Sequence, residues 1–269
     1  MCFSIRLALP PPLLQAGNAP RQGWENHFSK GFPPLDYPPT LEVKMSTTDS
    51  QTLKSLLDAG TAVISDVSDN LGLPPQSLDT SLFGLETPAR SFAGPAYTIA
   101  GESHIWKDGS GDRKKLAAID EMTPGVVPVW AGSDIKGVCC FGDLLSEAMK
   151  ARGCAGVVVD GGVRDMAYLR EMGLPMMVRY RTPSQAIGRW HVTEVQNTIK
   201  VRGAVQDWVS INPGDMVVAD DDGVVVIPQD MVDEFVQKAL AWADKDQNAR
   251  QDIKEGALLL DTLDKYGHL

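Results

Sequence analysis

The stretch GDLLSEAMKARGCAGVVVDGGVRD, residues 142–165, constrains the fold more than any other part of the chain. Leu144, Leu145, Ala148 and Met149 lie on one side of a helix starting at Asp143, and Gly153 closes it. The valine-rich run over 154–160 reads as a buried strand, with a tight turn at Asp160-Gly161-Gly162. A second helical segment (165–173) and the apolar strand LPMMVRY repeat the alternation. Helices alternating with short buried strands specify an α/β fold with parallel pairing. In such a sheet, successive strand-to-helix turns emerge at one edge, where ligands bind. Asp143 and the adjacent pair Arg164–Asp165 are therefore expected to meet.

The same alternation extends in both directions. In TAVISDVSDNLG, Val63, Ile64, Val67 and Leu71 share a helical face, with Thr61 as the N-cap and Gly72 as the stop. Strands are expected at 94–101, 124–132 and 135–142, with looser strand-like structure over 193–211. INPGDMVVADDDGVVVIP reads as two strands joined by an acidic turn at Asp220, Asp221, Asp222 and Gly223. An amphipathic helix follows over 230–245, then a helical tail over 246–269. Residues 1–45 are rich in proline and carry neither helical nor strand periodicity, so an extended or disordered segment is expected there. It is either an upstream extension or an interaction arm, and Met45 stands at the natural start of a single folded domain, 46–245.

Charge and composition exclude several classes of function. A formal net charge of -10 opposes nucleic-acid binding, which depends on neutralising phosphates with Lys and Arg. No apolar run reaches the roughly 18 residues of a membrane span. The proline-broken N-terminus is a poor signal sequence, and a cytoplasmic location is expected. Cys139, Cys140 and Cys154 lie in apolar surroundings without CxxC spacing and read as core residues of a reduced protein. His27, His104, His191 and His268 lack metal-site spacing; His104 lies in a polar loop, GESHIWKDGSGDRKK, that could border the site. ADDDG lacks the EF-hand pattern, and no GxSxG elbow is present.

Taken singly, Asp143 and Asp165 would each be helix N-caps, worth about 1 kcal/mol, and Arg164 a surface cation. Together, two carboxylates and an arginine around a helix N-terminus have a definite chemical use. Mg²⁺ or Mn²⁺ takes oxygen ligands and needs only one or two protein carboxylates. Such an ion can chelate a 2-oxo acid, while Arg164 and the amides after Asp143 hold the carboxylate. The enolate so stabilised is common to retro-aldol cleavage and β-decarboxylation.

GDLLSEAMKARGCAGVVVDGGVRD resembles the signature stretch of the RraA-like proteins, as do TAVISDVSDNLG, GPAYTI and INPGDMVVADDDGVVVIP, in matching order over about 50–240. That family includes class II pyruvate aldolases acting on 4-hydroxy-4-methyl-2-oxoglutarate and 4-carboxy-4-hydroxy-2-oxoadipate, and regulators of ribonuclease E that act by protein contact. The resemblance implies a layered α/β/β/α sandwich of the swivelling β/β/α type and a homotrimer or hexamer with sites at subunit interfaces. It implies a Mg²⁺- or Mn²⁺-dependent lyase for a small 2-oxo acid, with oxaloacetate decarboxylation alongside. By the same resemblance Asp165 is the direct metal ligand, and Asp143 holds a water on the metal. Arg164 binds the carboxylate and keto end, aided by Gly142 and the amides of Leu144 and Leu145. The aldolase pattern closes with an acid where this chain has Tyr168, the nearest acid being Glu171. A non-catalytic regulator of ribonuclease E-type activity is the alternative.

Overall fold

Valine-rich runs with residues alternating between two apolar faces build the centre of the molecule. The computed structural model describes residues 50–105, 111–132 and 135–269. The proline-rich stretch 1–45, with Cys2 and His27, lies outside the described residues, as do 106–110 of the polar loop.

The chain runs α1 (Ser50–Asn70), β1 (Phe83–Gly84), β2 (Phe92–Ser103), α2 (Arg113–Asp120), β3 (Val127–Ala131) and β4 (Cys139–Phe141). Then come α3 (Asp143–Ala151), β5 (Val157–Val163), α4 (Met166–Met172), β6 (Met176–Arg181), β7 (Trp190–Val195) and β8 (Ile199–Arg202). β9 (Trp208–Ile211), β10 (Met216–Asp220), β11 (Gly223–Ile227), α5 (Val232–Lys254) and α6 (Leu259–Tyr266) complete it. Among the described residues, nine strands form one mixed sheet in the order β1-β6-β5-β3-β2-β10-β11, with β4 beside β5 and β7 beside β2. The pairs β2–β3, β3–β5, β4–β5 and β5–β6 are parallel, as the helix–strand alternation requires.

Val157 and Val159 of β5 face α2, α3 and α4 and pack with Ile119, Met149 and Leu169 around the buried Trp130. Val158 faces the other way and joins Ile199, Val201, Val209 and Ile211 of the separate β8–β9 hairpin. A third cluster sets Leu56, Ile64 and Val67 of α1 and Phe235 of α5 against Val218, Val225 and Ile227. Helices therefore cover both sides of paired β-layers, the expected α/β/β/α arrangement. Cys139, Cys140 and Cys154 are buried free thiols, and burial pushes Cys140 and Cys154 up to about 12. No described helix is long and apolar enough to cross a membrane.

Three local expectations are corrected. Gly161 and Gly162 form no turn: β5 continues through them to Val163. They are glycines because an added Cβ would sit 2.9 Å from the Cys140 sulfur at Gly161 and 2.3 Å from the Tyr180 ring at Gly162. Thr61 is not an N-cap. It opens the second half of α1 after a break at Gly60 (φ 80°), and its N–H and hydroxyl both donate to the Asp220 carboxylate, at 2.8 and 2.6 Å. One acid of the ADDDG turn thus caps a helix from 159 residues away. Finally, the charged run DRKK does not stay a loop; it begins α2, capped by Asp112.

Candidate functional site

β4 and β5 lie parallel with Phe141 opposite Val163, so the residues following each strand emerge side by side. Gly142 and Asp143 start α3 at one exit, and Arg164 and Asp165 leave the other. The spacing of one helix and one strand brings Asp143 back to Arg164–Asp165, as the sequence predicts. The Arg164 N–H donates to the Phe141 carbonyl at 3.3 Å, fixing the two exits together.

Asp165 occupies the N-cap position of α4, yet its side chain makes no capping bond there. Its backbone is left-handed (φ 61°, ψ 39°), a conformation that costs most L-residues about 1–2 kcal/mol and suits Asp better than most. The carboxylate turns back instead: Oδ2 accepts the N–H of Asp143 at 3.1 Å and lies 3.3 Å from Arg164 Nε. The contact with Nε is an ion pair without hydrogen-bond alignment. Asp165 thus caps the neighbouring helix rather than its own, and Gly142 makes room for it. A Cβ on Gly142 would stand 2.1 Å from Asp165 Oδ2 and 2.9 Å from Arg164 Nε.

The two amides expected to hold a carboxylate differ. The N–H of Leu144 is taken by the Asp143 carboxylate at 2.8 Å. The next amide, of Leu145, has no hydrogen-bond partner among the described residues and points out of the first turn of α3. The Ser146 N–H and hydroxyl both return to the Gly142 carbonyl, at 3.1 and 2.8 Å, which fixes the start of the helix. Arg164 and Asp165 remain about two-fifths exposed, open to a small molecule.

A cleft of about 380 Å³ opens beside them, walled by Arg164, Asp165 and Met166 on one side and Arg181, Thr182 and Pro183 on the other. Arg181 and Thr182 escaped the sequence reading. They stand at the end of β6, the third parallel strand to finish at this edge, and RYRTP is the signal that could have revealed them. Tyr168, where the aldolase pattern has an acid, donates to Glu147 of α3 at 3.3 Å; that carboxylate holds the phenol above its usual range. His104 lies away from the cleft, its ring edge-on to His191 at 5.6 Å.

Below the site, Lys115 of α2 is buried. Its ammonium donates to the Cys140 carbonyl at 2.9 Å, 3.8 Å from Asp112 and 4.8 Å from the centre of the Trp190 ring. It braces β4 two residues before Gly142. Beside it in the sheet the fully buried Asp160 is paired with Arg179, which also reaches Asp79 and Ser81.

The donor set around Asp165 suits a hard cation in part. Both carboxylates are oxygen ligands, but among the described residues no cluster of three or more His, Cys, Asp or Glu side chains could enclose a metal. A cation here would rest on two carboxylates, with water or another chain completing its shell.

Comparison with known proteins shows the family to which the chain belongs. The RraA-like family (Aldolase/RraA) matches residues 61–226, more than half of the chain. A 4-hydroxy-4-methyl-2-oxoglutarate aldolase of Thermus thermophilus is 31% identical over 138 residues, 51% of this chain and 76% of that protein. Protein DlpA of Legionella pneumophila is 28% identical over 235 residues, 86% of this chain; the chain spans only 36% of that protein's length. Among solved structures, Streptomyces coelicolor RraAS2, described as an unusual member of the RNase ES inhibitor RraA protein family, is 28% identical with a TM-score of 0.63. The match covers 75% of this chain and 96% of that one.

Proposed function

Since this chain belongs to the RraA-like family, we propose that it is a divalent-cation-dependent lyase releasing pyruvate from small 2-oxo acids. The reactions are retro-aldol cleavage of substrates like 4-hydroxy-4-methyl-2-oxoglutarate and decarboxylation of oxaloacetate. The observation that supports this most is the meeting of Asp143, Arg164 and Asp165 at the start of α3, beside a cleft of substrate size.

Asp165 would hold Mg²⁺ or Mn²⁺ directly and Asp143 through water, and a neighbouring chain of a trimer or hexamer would complete the shell. When bound, the cation would polarise the 2-oxo carbonyl and favour the enolate. Arg164 binds the substrate's carboxylate and keto end, and the open N–H of Leu145 adds a second donor. A water held by Asp143 shuttles the proton. It takes the proton of the C4 hydroxyl as the C3–C4 bond breaks, the electron pair of that bond enters the enolate, and a proton returns to C3. Lys115, the buried lysine nearby, is committed to the Cys140 carbonyl, which disfavours a Schiff-base route.

The test is pyruvate release from both substrates with Mg²⁺, with EDTA, and by Asp165→Ala. Release that needs the cation and disappears in the variant supports the reading; no release from either substrate with Mg²⁺ present overturns it. The likeness to RraAS2 favours a second reading, inhibition of an RNA-processing nuclease by protein contact. That function would survive Asp165→Ala, whereas lyase activity would not.

A further inference from the structure

We propose that Arg181 is a specificity-determining residue: it receives the second carboxylate of the 2-oxo dicarboxylates named above, and so sets how strongly they are favoured over 2-oxo monocarboxylates. The inference rests on the lyase reading for the identity of the first anchor, Arg164, and adds what lies opposite it.

Arg181 is brought to the site by strand register. β6 runs parallel to β5 with Arg181 opposite Val163, the residue before Arg164. The N–H of Thr182 donates to the Val163 carbonyl at 3.0 Å, carrying the ladder one step past the end of β6. Both neighbours of Arg181 are tied down. The Tyr180 hydroxyl donates to the Val138 carbonyl and the Thr182 hydroxyl to the Gly137 carbonyl, each at 2.9 Å. The backbone carrying Arg181 is therefore held firmly at the cleft wall.

Its side chain is held by nothing comparable. Arg181 is exposed, and it has no ion-pair or hydrogen-bond partner among the described residues. Arg179, two residues earlier on the same strand, is by contrast paired with Asp160 and Asp79 and bonded to Ser81. Arg164 carries the second guanidinium of this cleft and already has Asp165 beside it. Two arginines facing one cavity repel each other until an anion enters between them, and each can clamp a carboxylate bidentately. A ligand with one carboxylate satisfies only one of them. A short 2-oxo acid with a carboxylate at each end satisfies both, its oxo end at Arg164 and its far end at Arg181.

The experiment compares kcat/KM for 4-hydroxy-4-methyl-2-oxoglutarate and for the monocarboxylate 4-hydroxy-2-oxopentanoate. In Arg181→Gln the ratio of the two should fall about 10- to 100-fold, chiefly through KM of the dicarboxylate, and Arg181→Lys should restore part of it. Arg164→Gln should lower both values together. An unchanged ratio in Arg181→Gln overturns the proposal. Calorimetric titration of 2-oxoglutarate against 2-oxobutyrate, with Mg²⁺, gives a readout independent of turnover. If the wild-type protein prefers 2-oxoglutarate and Arg181→Gln abolishes that preference without any substrate being cleaved, the lyase reading falls and the second anion site stands. Equal affinity for the two acids, or no binding of either, removes the site.

Discussion

The backbone N–H of Asp143 donates to the carboxylate of Asp165 at 3.1 Å, joining the first residue of α3 to the residue that stands at the head of α4. The bond holds the two acids at one point of the sheet edge. It also leaves Asp165 in a left-handed backbone conformation, supported by the surrounding exits of β4 and β5.

Gly142 is the position where the smallest change should do most harm. Its backbone (φ −134°) is open to any residue, so the objection to alanine is space alone: the new methyl would overlap Asp165 and Arg164. Gly142→Ala is expected to cost about 1–3 kcal/mol of stability and on the order of 100-fold in kcat/KM. Denaturant unfolding and pyruvate release measure the two effects.

Asp165→Asn should separate folding from function. Asparagine tolerates the left-handed conformation and can still accept the Asp143 N–H, so the melting temperature should stay within a few degrees of wild type. The charge that would hold a divalent cation is lost. Thermal unfolding across a Mg²⁺ series should show stabilisation of the wild-type protein and none of the variant. Equal stabilisation of both would place the cation elsewhere.

Lys115 gives the clearest pH signature. Burial holds its ammonium below the usual 10.5, with Cys140, Asp112 and Cys139 opposing that shift. Between the lowered value and 10.5 the unfolded chain binds more protons than the folded one, so stability rises with pH in that window. Lys115→Met should abolish this rise. At neutral pH it should cost about 1–3 kcal/mol by orphaning the Cys140 carbonyl. Urea midpoints measured from neutral to alkaline pH check both statements.

Asp160→Ala would leave Arg179 without its buried partner, at an expected cost of about 3–5 kcal/mol. Replacing both, as Asp160→Ala with Arg179→Met, should recover part of that loss, because the stranded charge goes too. A double-mutant cycle in denaturant decides the matter.

The core of the site was legible because Asp143 and Arg164–Asp165 are separated by one helix and one strand, a local relation that an α/β pattern converts into proximity. Arg181 was not, because its place depends on the register of β6 against β5, and no composition rule reports register. Lys115 hid among the charges of DRKK, which reads as solvated; only packing shows that one of those cations turns inward beneath Trp190. Gly161 and Gly162 looked like a turn, since a glycine needed for close approach and one needed for a positive φ are the same letter. The aid that Thr61 receives from Asp220 was beyond any local reading, being a pairing of residues far apart along the chain.

That last pairing also orders events in time. A chain made from its amino end has no Asp220 to receive Thr61 until 159 further residues have been synthesised, and β2 likewise waits for β10. The second half of α1 can be spelled early yet is finished late, when the closing hairpin brings the carboxylate that accepts from Thr61. Completion of this helix in the nascent protein thus depends on a turn made 159 residues after it.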